Sequence, residues 1–326
     1  ARNASGLTPL HPAGLRGRRD VVEALVRHGA TLDAVDDTGT TPLMLACKGG
    51  DLPTVDYLLE AGADATHQSR KGLTAMHVAA FYGHADVIET LARRGGAVDA
   101  GDIQSTTPLM FASRAGHPGV VKTLLDRGAR VDARNRDGVS ALHAASQHGH
   151  LSVVVPLVKR GAQVDCPDVG LKTPLFLAAA KGHLPVVRFL VERCGAAMDR
   201  ATARGVTPLM TAVHFDRRAV AEFLLERGVD VNQREAESGV SALHFAVAKQ
   251  NLAMTDLLLN YGALEYYTHA HGATPMSMAL KLADVALIGR LLDQRLVIQE
   301  FLLREQVQKI VQTDHGIFGD SLPLIE

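Results

Sequence analysis

Tryptophan is absent from this chain, and aromatic residues of all kinds make up only 4% of it. Two of those few, Phe81 and Tyr82, nevertheless stand side by side. Net charge is also lacking: 34 Lys+Arg face 35 Asp+Glu. That balance removes the usual reason to expect nucleic acid or an anionic membrane as the main partner. No apolar run approaches the eighteen residues that a membrane-spanning helix needs, so membrane insertion is not expected. Cysteine is scarce too. Cys47, Cys166 and Cys194 are odd in number and widely spaced, which excludes a disulfide framework and fits a reducing, intracellular and cytoplasmic setting, with nuclear or cytoskeletal association open. The first residues, ARNASGLTPLHPAG, carry neither an initiator methionine nor the apolar core of a secretion signal, so the chain reads as processed or as a piece of something longer.

What is present is repetition. GLTPLHPA from Gly6, GTTPLMLA from Gly39, GLTAMHVA from Gly72, STTPLMFA from Ser105 and GVSALHAA from Gly138 align with one another. LKTPLFLA from Leu171, GVTPLMTA from Gly205, GVSALHFA from Gly239 and GATPMSMA from Gly272 continue the series. The anchoring hydroxyl residues are Thr8, Thr41, Thr74, Thr107, Ser140, Thr173, Thr207, Ser241 and Thr274, spaced by 33 residues and by 34 for the two steps that follow Thr173 and Thr207. A chain of 326 residues would by length alone suggest about two globular domains. The period overrules that expectation and predicts one array.

Each repeat has a physical reading. The hydroxyl residue caps a helix by accepting from a free N–H of its first turn, and the proline that follows it in most repeats sits where a missing N–H costs little. A short helix of small apolar residues comes next and ends at Gly50, Gly83, Gly116, Gly149 or Gly182. A second helix with apolar residues at helical spacing follows, and then a stretch ending in turn residues that reads as a hairpin-like finger. One such unit cannot bury its apolar face alone, but stacked units can. With packed helices roughly 8–10 Å apart, nine would span on the order of 80 Å.

These residues, GVSALHAASQHGHLSVVVPLVKRGAQVD most clearly, resemble ankyrin repeats, and the resemblance covers residues 1 to 293. It implies an all-α solenoid of stacked helix-turn-helix units with projecting fingers, the first helices on the concave side and the second helices outside. It also implies a binding or scaffold role without catalysis. Several repeats depart from the pattern. Pro12 and Gly14 fall inside the first helix of the first repeat and should loosen it. Asp216, Gln250 and Ala283 stand where a helix-ending glycine is expected, Cys194 reads as an inserted residue, and the finger after Val231 is lengthened and expected to protrude. From Asp284 the pattern gives way to an apolar helical run that should continue as a C-terminal capping helix and tail over 294–326.

Fifteen histidines raise the question of a metal. His11, His77, His143 and His244 recur at one position of the repeat, and His84, His117, His150 and His183 at another. Equivalent positions lie a repeat apart, too far for shared ligation, so structural histidines bonded to backbone are expected, with no metal and no cofactor. No nucleophile elbow, phosphate loop or dinucleotide fingerprint is present, and the expectation is a protein that is not an enzyme. Cys47 aligns with small apolar residues of other repeats and reads as packing.

The informative positions are those the repeat leaves free. The two residues before each helix end include Arg16, Lys48, Arg114, Lys181, Lys249 and Lys281, six cations among eighteen residues, and no acid. His148, His214 and Phe215 share these positions, as do Phe81 and Tyr82. Finger tips add Arg70, Lys71, Arg136, Lys172 and Arg204, against Asp37, Asp137 and Glu237, with Ile103 as an exposed apolar candidate. A basic groove in a neutral protein suits an acidic partner segment, and the aromatics are candidate anchors within it. The expected function is a scaffold that binds proteins through this groove and the finger tips. The alternative is an adaptor or structural subunit of a larger assembly, substrate-recruiting or cytoskeletal or ciliary, that also uses the cap and tail. The resemblance adds Asn232, in LLERGVDVN, as a candidate for hydroxylation.

Overall fold

The computed structural model describes residues 2–270 and 272–293, and the proposed cap and tail at 294–326 lie outside them. Each repeat contributes two antiparallel helices. The first four repeats hold α1 (Leu10–Leu15) and α2 (Arg19–Arg27), α3 (Pro42–Gly49) and α4 (Leu52–Glu60), α5 (Ala75–Tyr82) and α6 (Ala85–Arg93), then α7 (Pro108–Ala115) and α8 (Pro118–Asp126). The next four hold α9 (Ala141–Gln147) and α10 (Leu151–Lys159), α11 (Pro174–Lys181) and α12 (Leu184–Cys194), α13 (Pro208–His214) and α14 (Arg218–Glu226), then α15 (Ala242–Ala248) and α16 (Leu252–Asn260). The ninth holds α17 (Pro275–Lys281) and a helix over 285–293, α18. Contacts divide the described residues into two compact blocks, with the boundary between Leu224 and Leu225.

In the N-terminal block, first helix packs on first helix from α1 through α13, and second helix on second helix from α2 through α12. Alanine makes the first row possible. Ala46, Ala79, Ala112, Ala145 and Ala178 are fully buried between neighbours, with Leu and Val from both rows completing the core. In the C-terminal block, α15 packs on both α16 and α17.

The caps form as the sequence predicts. The side chains of Thr41, Thr107, Thr173 and Thr207 accept from the N–H three residues on, at 3.3, 3.4, 3.2 and 3.1 Å. Each such cap contributes about 1 kcal/mol. The first repeat departs furthest from the pattern. Its helix is only six residues long and has no side-chain cap bond. Gly14 nevertheless has a use there, because a Cβ would stand 2.9 Å from the Pro42 carbonyl oxygen of α3. The glycine lets the two helices approach closely. Where the sequence lacks its helix-ending glycine, Asp216, Gln250 and Ala283 take the left-handed backbone all the same, at φ 54, 53 and 53°. The extra residue at Cys194 is absorbed by lengthening α12 to eleven residues, closed by Gly195.

The fingers are turns rather than strands; among the described residues the only bridge is Arg234 with Ser241. They are joined tip to tip by single backbone bonds. Arg70 N–H donates to Thr38 C=O at 3.0 Å, Ile103 to Lys71 at 3.1 Å, Arg136 to Gln104 at 2.9 Å and Val169 to Asp137 at 2.9 Å. Carboxylates add a second tie. Asp33, Asp99, Asp132 and Asp165 each accept a backbone N–H from the finger that follows.

Candidate functional site

The repeat register carries straight into space. Lys48, Phe81 and Arg114 occupy the same place on α3, α5 and α7, and Tyr82, His148 and Lys181 the next place along α5, after α9 and on α11. All six are exposed, as are Arg16 and Lys249. At the finger tips Arg70, Lys71, Arg136, Lys172 and Arg204 are exposed as well, and Ile103 is 52% exposed. Phe215 is 48% exposed, with the half-buried His214 ring edge-on at 4.8 Å.

Phe81 and Tyr82 are each exposed by two fifths, 41% and 42%. Their rings meet edge to face at 5.2 Å, and Phe81 also meets Phe111 at 6.3 Å. Phe111 in turn takes the edge of the His77 ring at 5.4 Å. Between α3 and α5 these rings wall a pocket of about 320 Å³, with Met44, Leu45 and Val78 below and Lys48 at its rim. The Lys48 ammonium lies 5.5 Å from the centre of the Tyr82 ring, a cation–π contact. Lys48, Phe81 and Tyr82 are thus brought together, whereas the other cations are distributed along the array.

Sequence reasoning missed Phe111. Its signal was available, because Leu45, Val78 and Phe111 share one position, four residues after the cap, and all three are half-buried. That row forms the floor beneath the exposed pair. An apolar residue inside an apolar helix gave no other reason to single it out.

Ion pairs gather on the second helices. In the N-terminal block several lie on or between second helices and the turns that close them, and Arg130 pairs with Asp99 between fingers. Arg27 pairs with Glu23, Arg93 and Arg127 with Glu89, Arg94 with Glu60, Arg160 with Asp126 and Arg188 with Glu192. Exposed pairs of this kind contribute at most about 1 kcal/mol each. Among the described residues Arg19, Lys122, Lys159 and Arg193 on the second helices enter no ion pair, and neither do Arg16, Lys48, Arg114 and Lys181 on the first-helix side. Some finger acids bond within their own turns, while Asp37, Asp137 and Glu237 at the tips are exposed. Asp102 accepts from the Gln104 and Thr106 N–H groups, and Asp168 from that of Lys172. Bonds from the Thr66 hydroxyl and N–H hold the Asp64 carboxyl below the ordinary carboxylate range. Burial alone would raise the Asp36 carboxyl, but bonds from Thr40 and Thr38 outweigh it and lower it.

The recurring histidines form two structural sets. In the first, Nδ1 of His77 accepts from the Thr74 N–H at 3.1 Å, and Nε2 bonds the Thr106 carbonyl of the next repeat at 2.9 Å. His11 and His143 make the same pair of bonds. Burial holds the His77 and His143 imidazoles below their ordinary value. In the second set, Nε2 of His84, His117, His150 and His183 reaches the carbonyl of Lys48, Phe81, Arg114 and Gln147 in the preceding repeat, at 3.0 to 3.2 Å. Arg217 takes over the role on α11, donating from Nε to the Ala180 carbonyl at 3.2 Å. Among the described residues no group of three His, Cys, Asp or Glu side chains could hold a metal ion. Asn232 uses its whole amide as a tie in the C-terminal block: Nδ2 donates to the Gly262 carbonyl at 3.0 Å, and Oδ1 accepts from the Leu264 N–H at 2.9 Å.

A family model for ankyrin repeats, spanning three copies, matches residues 1–69, 50–135, 97–168 and 142–235. The repeats from Ser241 and Thr274 lie beyond the matched residues and keep the same capping hydroxyl and the same helix that follows it. No curated protein matches the chain. Among the described residues no helix is long and apolar enough to cross a membrane.

Proposed function

Because the chain belongs to the ankyrin-repeat family, whose repeats are generally protein–protein interaction modules, we propose that it is a non-enzymatic scaffold holding a partner protein along its first-helix face and finger tips. The observation that carries the reading is the row of cations itself. Arg16, Lys48, Arg114 and Lys181 enter no ion pair among the described residues, and no acid shares their register positions. A row of unpaired cations favours an acidic segment and speeds its encounter. In the N-terminal block finger tips are bonded to neighbouring tips and first helices pack on one another from α1 to α13, so that surface is preformed and loses little conformational entropy on binding. An intracellular, cytoplasmic setting belongs to the same proposal and is supported by three free cysteines, two of them buried.

The lysines allow a direct test. Lys48, Lys71, Lys172 and Lys181 lie on first helices or finger tips, and Lys122 and Lys159 on the second helices α8 and α10. Amine crosslinking to a bound partner, read by mass spectrometry, should label the first group and spare the second. Partner crosslinks confined to Lys122 and Lys159 would reverse the assignment.

A further inference from the structure

The pocket beneath Phe81 lies in the middle of the cationic row, and its surroundings define what it could hold. Phe81 stands at the register position that Lys48 fills in the repeat before and Arg114 in the repeat after. Phe81 is therefore bracketed in register by two cations, Lys48 lining the opening and Arg114 outside its lining, and neither enters an ion pair among the described residues. The opening is about 320 Å³ and its walls are the Phe81, Tyr82 and Phe111 rings. That space suits one large apolar side chain rather than a chain of polar ones, because no carboxylate lines it. Adjacent first helices lie roughly 8–10 Å apart, and an extended peptide advances about 3.3 Å per residue. A peptide running along the stack therefore covers one repeat in about three residues.

We propose that this pocket takes a single bulky apolar side chain from an extended acidic segment of a partner protein, with carboxylates about three residues to either side meeting Lys48 and Arg114. The inference rests on the proposed first-helix docking face and assigns it a register. The apolar residue supplies affinity by leaving water against three rings. The flanking acids set direction and position, since a shift by one residue moves both carboxylates away from their cations.

The absence of tryptophan from the chain makes the test direct. The probe is the peptide Glu-Gly-Ser-Trp-Gly-Ser-Glu, whose indole is the only one in the mixture, titrated with the full chain. Its emission should shift to the blue on binding. Phe81→Ala and Phe111→Ala should each weaken binding about tenfold, and Lys48→Gln or Arg114→Gln several-fold, the latter effect fading at high salt. Circular dichroism checks folding. Where an aromatic variant unfolds, Tyr82→Ser, at an exposed ring, supplies the same reading. A dye-labelled probe that binds while its indole stays unshifted, or that binds equally well with serine in place of tryptophan, overturns the anchor but leaves the basic face standing. Equal binding with both glutamates replaced by glutamine overturns the acidic register. No binding of this probe or of polyglutamate removes the inference together with the docking face beneath it.

Discussion

Gly116 ends α7 with φ +80°, and a Cβ there would stand 2.6 Å from Cε1 of His150 in the next repeat. Gly128 ends the second helix of the same repeat with φ +85°, and nothing lies within 4 Å of its Cβ position. The two glycines share a backbone conformation and differ in what they face, so Gly128→Ala is the control for Gly116→Ala. Placing alanine in the left-handed region costs about 1–2 kcal/mol, offset by roughly 0.4–1 kcal/mol from a stiffer unfolded chain. Gly128→Ala should therefore lose about 1 kcal/mol. Gly116→Ala carries the same strain and also drives the His150 ring from its bond to the Arg114 carbonyl, 3.1 Å away in the native structure. A further loss of about 1–1.5 kcal/mol follows. Removing the ring first should abolish that extra cost. In a His150→Ala background, Gly116→Ala should fall back to the control value, giving a coupling of about 1 kcal/mol. Urea denaturation followed by helical circular dichroism measures the wild type and all four variants. Equal losses at Gly116 and Gly128, or strict additivity with His150→Ala, would refute the interlock.

Other consequences follow from the same geometry. Leu171 holds φ 58° at a finger tip where most repeats use glycine, so Leu171→Gly should raise stability by about 0.5–1 kcal/mol, read as a higher denaturation midpoint. The His77 and His143 imidazoles are held below their ordinary value by burial. The unfolded chain therefore takes up protons first as pH falls, so their contribution is complete above the unfolded value near 6.5 and is lost on acidification below it. Midpoints measured from pH 7.5 down to 5.5 should fall, and a His77→Asn/His143→Asn variant should show a shallower slope. Burial pushes the Cys47 thiol far above its ordinary value, and Cys194 is the one cysteine that is not buried. Titration of the native protein with a thiol reagent should label Cys194 first and Cys47 only on unfolding.

The repeat made most of this fold legible. Capping hydroxyls, helix-ending glycines and buried alanines are each local requirements that recur, so a single sequence carries several readings of each. The histidines were legible as structural for the same reason, although their partners were not. The bonds of His77 to the Thr106 carbonyl and of His117 to the Phe81 carbonyl run 29 and 36 residues along the chain, in opposite directions. Spacing alone does not give a direction. Substitutes for glycine were legible as departures but not in their effect. Asp216, Gln250 and Ala283 look like broken helix ends in the sequence, yet the stack imposes the left-handed turn on them. On the docking face, the exposed pair Phe81 and Tyr82 could be read from register, because the fold does not need those positions. Phe111 could not, because a residue that serves both the core and the surface looks like core in one dimension.

The central claim is that the unpaired cations of the first helices form the binding face. The decisive measurement is the affinity of the chain for fluorescein-labelled polyglutamate at low and high salt. It should be compared with a variant in which Arg16, Lys48, Arg114 and Lys181 are all glutamine, and with one in which the paired Arg27, Arg93, Arg127 and Arg160 are. The account predicts binding that weakens at least about tenfold as salt rises across the Debye range, is lost in the first variant and is kept in the second. Binding that ignores salt, or that survives in the first variant and disappears in the second, would contradict it.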